Sequence, residues 1–135
     1  MESKKQLGVL GSANVDYFLY MSHIPAIGET IQASKEMYAN GGKGANQATA
    51  IGKLLTPDFG KCLFIGQVGE DENKKNLTKE MTECNVELGW ISTSEVSTGK
   101  AFIFVDENTG DNSIVIYGAA NTYYPDLTCL PKQYA

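Results

Sequence analysis

Arginine is absent from this 135-residue sequence, and histidine and tryptophan occur once each. A chain without arginine has no planar fork for gripping a phosphate or a guanine edge through two parallel hydrogen bonds. All 11 basic residues are lysines, set against 16 acidic ones for a net charge of −5. That balance leaves no basic stripe to displace counterions, so nucleic acid is excluded as a partner, and any phosphate must be met by backbone amides and lysine. Cysteine is also scarce: Cys62, Cys84 and Cys129 are odd in number, widely spaced and without a C-x-x-C pair, and only His23 remains to complete a metal cage. No metal site is expected. Nowhere do about 18 apolar residues run together, and Met1 to Lys5 lead into a strand pattern and not an apolar signal core. Both absences predict a soluble, reduced, cytoplasmic chain with no membrane partner. What is present is an ordinary globular mix, 42% hydrophobic and 20% charged, in a length that suits one domain.

Leu7 to Leu10 is a short apolar run closed by Gly11-Ser12, the pattern of a buried parallel strand. Asp16 to Met21 is a second extended run ended by His23-Ile24-Pro25, and Gly28 to Ala39 reads as extended too, with Thr30 and Ile31 after a Gly28-Glu29 turn. From Gly44 to Leu55 the period changes: Ala45, Ala48, Ile51, Gly52, Leu54 and Leu55 recur at helical spacing, with Pro57 as the stop. This helix springs directly from the loop Asn40-Gly41-Gly42-Lys43. Cys62 to Val68 predicts a buried strand, Asp71 an N-cap, and Glu72 to Cys84 a helix with Leu77, Met81 and Cys84 on one face. A strand over Leu88 to Thr93 completes a βαβαβ pattern, hence a parallel sheet with right-handed crossovers. Lys100 to Val105 and Ser113 to Tyr117, joined by a loop rich in turn residues, predict an antiparallel hairpin. Phe102 and Phe104 lie on one face of it and Ala101, Ile103 and Val105 on the other, so both faces are expected to be covered. Beyond Gly118 no strong element is foreseen.

The densest run of small residues, Gly41-Gly42-Lys43-Gly44-Ala45-Asn46-Gln47-Ala48, opens a helix. It is not a P-loop, because Gly44 follows Lys43 in place of Ser or Thr and Met37 stands at the position of the first glycine. It is not a dinucleotide fingerprint either, because Gln47 stands where the third glycine belongs. What remains is a helix N-terminus with free N–H groups and glycines that let a ligand near the main chain. Lys43 at the positive end of the helix dipole predicts a ligand or carboxylate to offset it, with Asn46 on the same face. The plainer alternative is an entry turn with an exposed lysine. A second cluster, Gly11-Ser12-Ala13-Asn14-Val15-Asp16, lies at the carboxyl end of the first strand, where open α/β sheets bind ligands. In extended chain Asn14 and Asp16 point to the same side. A carboxylate that accepts beside an amide that both donates and accepts suits a vicinal diol such as a sugar; an Asx turn leaving the strand is the alternative.

These segments resemble the ribokinase-like (PfkB) family of carbohydrate kinases. The resemblance rests on Gly11 to Asp16, Pro25-Ala26-Ile27-Gly28-Glu29-Thr30, Gly41 to Ala48, Gly66-Gln67-Val68-Gly69-Glu70-Asp71 and Ser97-Thr98-Gly99, and it spans nearly the whole chain. The octet from Gly41 resembles that of members acting on D-ribose more than that of fructokinase-like or adenosine-kinase-like ones. By this resemblance Asn14, Asp16, Gly42, Lys43 and Asn46 would hold ribose hydroxyls. The implied fold is α/β, a Rossmann-like parallel sheet with flanking helices plus a small β lid, incomplete relative to the family. The lid would comprise segments 16–21, 30–39, 100–105 and 113–117 and would clasp a second copy in a homodimer. MgATP is the implied cofactor of the complete enzyme, with a monovalent cation as a second candidate.

The departure from the family is as specific as the match. Its members are much longer, and their second half carries a Gly-Ala-Gly-Asp segment with the general base, most of the ATP site and a metal-linked Asn/Glu motif. None of these occurs here. Gly69-Glu70-Asp71 falls at a helix cap and Gly110-Asp111 in a hairpin loop. The chain therefore reads as the sugar-binding and lid half of such a kinase, with no catalytic base and no activity alone. A non-catalytic sugar-binding or interaction module, and the same half of another pentose or nucleoside kinase, are the alternatives.

Overall fold

The computed structural model describes residues 7–56, 58–93 and 95–123, without the side chains of residues 91 and 92. In chain order the elements are β1 (Leu7–Leu10), β2 (Asn14–Met21), β3 (Lys35–Gly41), α1 (Lys43–Leu54), β4 (Cys62–Gly69), α2 (Glu72–Glu83), β5 (Val86–Thr93), β6 (Gly99–Asp106), β7 (Asn112–Tyr117) and a 3-10 turn (Ala119–Thr122). They make two sheets. The first is parallel throughout, in the order β1-β4-β5, as the alternation of strands and helices requires. Its central strand β4 is apolar and buried almost end to end, as expected of a strand with neighbours on both sides. The second runs β3-β2-β6-β7, with β2 and β6 parallel at its centre and an antiparallel partner on each flank.

Both helices contribute to one core with the first sheet. Ala45 and Ala48 from α1 and Leu77 and Met81 from α2 close over Cys62, Phe64 and Val68 of β4, with Ala13, Val15 and Val86 completing the cluster. The Trp90 ring meets Phe64 edge-on at 5.3 Å and its indole N–H donates to the Thr78 hydroxyl at 2.9 Å, so a large apolar body is buried with its polar tip satisfied. Helix α2 also fastens the second sheet. The Tyr17 hydroxyl of β2 donates to the Asn73 side chain at 3.3 Å, and the Asn40 amide of β3 donates to Glu80 at 2.6 Å and to the Asn76 carbonyl at 3.2 Å.

Four expectations need correction. Leu54 is 83% exposed although it fits the apolar pattern of α1. It stands nine residues beyond Ala45, which at 100° per residue is the opposite side of the helix. The extended run predicted from Gly28 is a turn at residues 27–28 followed by irregular chain up to Ser34, and β3 begins only at Lys35. Gly28 takes φ +82°, the Glu29 N–H donates to the Ala26 carbonyl at 3.0 Å, and the Glu29 carboxylate accepts from the Ala26 N–H and from His23, each at 2.8 Å. The β6–β7 hairpin is antiparallel as predicted, but only the side carrying Ala101 and Ile103 is buried; β7, with one neighbouring strand, is exposed along its whole length among the described residues. The 3-10 turn after Gly118 was not foreseen. Pro57, Tyr124 to Asp126 and Cys129 lie outside the described residues. No helix among those described is long and apolar enough to cross a membrane.

Candidate functional site

The two sheets meet where β1 ends. The Gly11 N–H donates to the Ile65 carbonyl at 3.1 Å, residues 11–13 cross over, and Asn14 opens β2. Helix α1 docks on this crossing: the Ala45 N–H donates to the Ser12 carbonyl at 3.0 Å. The docking is backbone against backbone. A Cβ on Gly44 would lie 2.8 Å from Gly11, and one on Gly42, itself at φ +92°, would lie 2.7 Å from the Ala13 Cα and 2.8 Å from the Asn14 nitrogen. A side chain at either glycine would therefore run into the chain's own crossing.

Gly41 has a different reason. Its Cβ would stand 2.2 to 2.6 Å from the Asp16 carboxylate, so Asp16 occupies the volume that the glycine leaves. In register, Asn14 lies opposite Gly41 on β3 and Gly99 on β6, and Asp16 lies opposite Ala39 and Ala101. Two polar side chains on one face of β2 are therefore flanked on both neighbouring strands by glycine or alanine only. Asp16 is half-buried and has no hydrogen bond or ion pair among the described residues, and burial pushes its carboxyl above the usual range. Asn14 is buried, with its Oδ1 accepting from Asn121 Nδ2 at 2.7 Å and its own Nδ2 without a protein acceptor among the described residues. It pairs within the strand and forms no Asx turn.

Lys43 and Asn46 lie on the first turn of α1, both exposed, with no hydrogen bond or ion pair to Asn14 or Asp16. The structure thus brings Asn14, Asp16 and Gly42 together directly and sets Lys43 and Asn46 on the adjoining helix start. Asn121 escaped the sequence reading. Its one local signal is the run Gly118-Ala119-Ala120, small residues that let the following turn approach β2 and β6.

Asp71 is structural. Its Oδ1 accepts from the Lys74 N–H at 3.1 Å and from the Thr98 hydroxyl at 2.7 Å, and its Oδ2 accepts from the Thr98 N–H at 2.8 Å, capping α2 and pinning the start of β6. Burial works against the charge, but the two Thr98 donors, the Lys74 N–H and the field of Lys100 outweigh it and hold the carboxyl below the usual range.

A sheet-crossing loop is thus packed on a glycine-rich helix start, with a polar pair at the root of a second sheet. The family model described as pfkB family carbohydrate kinase matches residues 4–130, and the chain belongs to that family. Among individual proteins it is similar to a ribokinase of Arabidopsis thaliana, 38% identical over 118 residues, which are 85% of this chain and 30% of the relative. The solved structure of Giardia lamblia ribokinase superposes with a TM-score of 0.76 at 36% identity, covering 85% of this chain and 36% of that one. Arabidopsis ribokinase complexed with ribose and ATP gives 0.73 at 37% identity, with the same coverage. The chain spans about a third of the length of these proteins.

Proposed function

We propose that this chain is the sugar-binding and lid portion of a kinase that phosphorylates D-ribose at O5 with MgATP. The carrying observation is Asp16, a half-buried carboxylate with no partner among the described residues, set in a hollow of glycine and alanine beside Asn14. A vicinal diol answers that need: one hydroxyl donates to the carboxylate while its neighbour pairs with the amide. Gly42, Lys43 and Asn46 complete the ribose site in this reading. The second sheet is the lid, and its exposed edge, with Ile114, Val115 and Ile116 open, supports a homodimer through that sheet. The similarity to a ribokinase solved with ribose favours ribose over other pentoses.

The cavity along α2 does not fit the nucleotide. It measures about 540 Å³ and is lined by Lys74, Lys75 and Lys79 but also by Glu70, Asp71 and Glu72. Two of those lysines are paired with carboxylates, at 2.9 Å to Glu70 and 2.7 Å to Glu72. A triphosphate would meet like charge there. The work assigned to this chain is therefore binding and orienting the sugar and shielding it from water, and no step of the transfer is assigned to it.

Calorimetric titration with D-ribose tests the assignment. If the carboxylate takes two hydroxyl hydrogen bonds at about 1.5 to 3 kcal/mol each, Asp16→Ala weakens binding by roughly a hundredfold or more. Affinity within threefold of the parent would sink the assignment.

A further inference from the structure

We infer that Asn121 is a positioning residue that sets which end of the Asn14 amide meets the ligand, so that Asn14 serves the sugar as a donor while Asp16 serves it as an acceptor. This rests on the sugar-binding reading above and adds the polarity of the site to it.

A chain of hydrogen bonds with a single sense leads from the backbone to the ligand. The Ala13 N–H can only donate and its carbonyl can only accept. Asn121 meets both at once: its Oδ1 accepts from the Ala13 N–H at 2.9 Å and its Nδ2 donates to the Ala13 carbonyl at 3.0 Å. The main chain therefore dictates how the Asn121 amide is turned. Its remaining hydrogen goes to Asn14 Oδ1 at 2.7 Å, which in turn dictates Asn14. The oxygen of Asn14 is thereby held toward Asn121, and its NH2 group is turned away to donate elsewhere.

The surroundings hold this relay in place. A Cβ on Gly99 would lie 2.1 Å from Asn121 Nδ2 and 2.4 Å from Asn14 Oδ1, so the strand beside the relay must be bare at that residue. The turn carrying Asn121 is anchored by the Ala120 N–H on the Ser97 carbonyl at 3.0 Å and by Gln67, whose side-chain amide donates to the Tyr123 carbonyl. Ala119, buried at φ +44°, keeps a left-handed backbone that alanine rarely adopts, the mark of a turn held for what it presents. A site that offered two acceptors would have to take both donor hydrogens from a diol. One that offers a donor beside an acceptor takes a diol whose first hydroxyl donates and whose second accepts.

Side-chain amide hydrogen exchange by 15N NMR on the chain itself, together with calorimetric titration against D-ribose, tests the assignment. In the parent chain the Asn121 NH2 is protected and the Asn14 NH2 exchanges freely until ribose is added. The reverse order overturns the inference without any variant. Asn121→Asp keeps the acceptor for the Ala13 N–H and removes both donors, so the Asn14 amide turns over and its NH2 becomes protected. Ribose affinity then falls about tenfold, the worth of one well-made hydrogen bond. Unchanged affinity in Asn121→Asp, alongside a loss in Asp16→Ala, overturns the positioning role and leaves the sugar reading standing. Unchanged affinity in Asp16→Ala, or no binding by the parent chain, overturns the sugar reading and the role of Asn121 with it.

Discussion

Asp16 holds a charge that the ligand-free chain would be more stable without. Burial raises its carboxyl above the ordinary value of 3.8. The stability linked to this group is thus fully present below that value and is lost as pH rises through the raised one. Asp16→Asn removes the loss. The variant is expected to unfold at a higher temperature than the parent at pH 7, with the gap closing as pH falls below 3.8, while ribose binding weakens. Thermal unfolding followed across that range checks both the sign and its pH dependence. A variant less stable than the parent at neutral pH would show that Asp16 has a folded-state partner. Asp16 and Asn14 were legible in sequence because strand alternation puts them on one side and their chemistry is complementary. Asn121 was not, because its partners stand 107 and 108 residues away and a single amide in a loop carries no period. The glycines were legible as marks of a close approach, and on the Cβ side of Gly42 and Gly44 the group that approaches is the chain itself.

Helix α2 shows how much one element can fasten. Its cap, Asp71, also satisfies the N–H and hydroxyl of Thr98, which is buried at the foot of β6. Asp71→Ala removes the cap, worth about 1 kcal/mol, and strands two donors of a buried residue, so a loss of about 2 to 4 kcal/mol in urea unfolding at pH 7 is expected. Here the carboxyl is lowered, so the stability it supplies is present above 3.8 and lost as pH falls through the lowered value. The parent and the variant should therefore converge in acid. A loss under 1 kcal/mol would mean that Thr98 finds other acceptors. This element was read almost completely from sequence, since cap, length and the buried Leu77–Met81 face are all local signals. The turn at Gly28-Glu29 was legible, with Gly28 supplying the positive φ, but the irregular chain that follows it was not, because β-compatible residues such as Thr30 and Ile31 there read as strand.

At the scale of the molecule, strands and helices were legible from periodicity, but their division into a parallel sheet and a second β sheet came only with the family resemblance, because the pairing that founds the second sheet joins Asn14 to Gly99 across most of the chain. Periodicity reports which way a strand faces and says nothing of its neighbour. The composition of the whole yields a further expectation: this chain alone does not phosphorylate ribose. Transfer needs a base at the attacking hydroxyl and cations on the departing charge, while the proposed reading assigns Asp16 to the sugar and arginine is absent. A coupled assay for ADP release with ribose, ATP and magnesium should read background; turnover of about 1 to 100 per second would refute it. The joint between the sheets has one more effect. Strand β2 runs eight residues from Asn14, so at about 3.3 Å per residue its far end lies about 23 Å from the root that Gly99, Gly42 and Asn121 enclose. A rotation of about 10° there sweeps that end through about 4 Å. If the second sheet closes as the proposed lid, its fulcrum is the polar pair, and a sub-ångström adjustment around one small molecule would be enlarged into a displacement that a neighbouring protein surface could register.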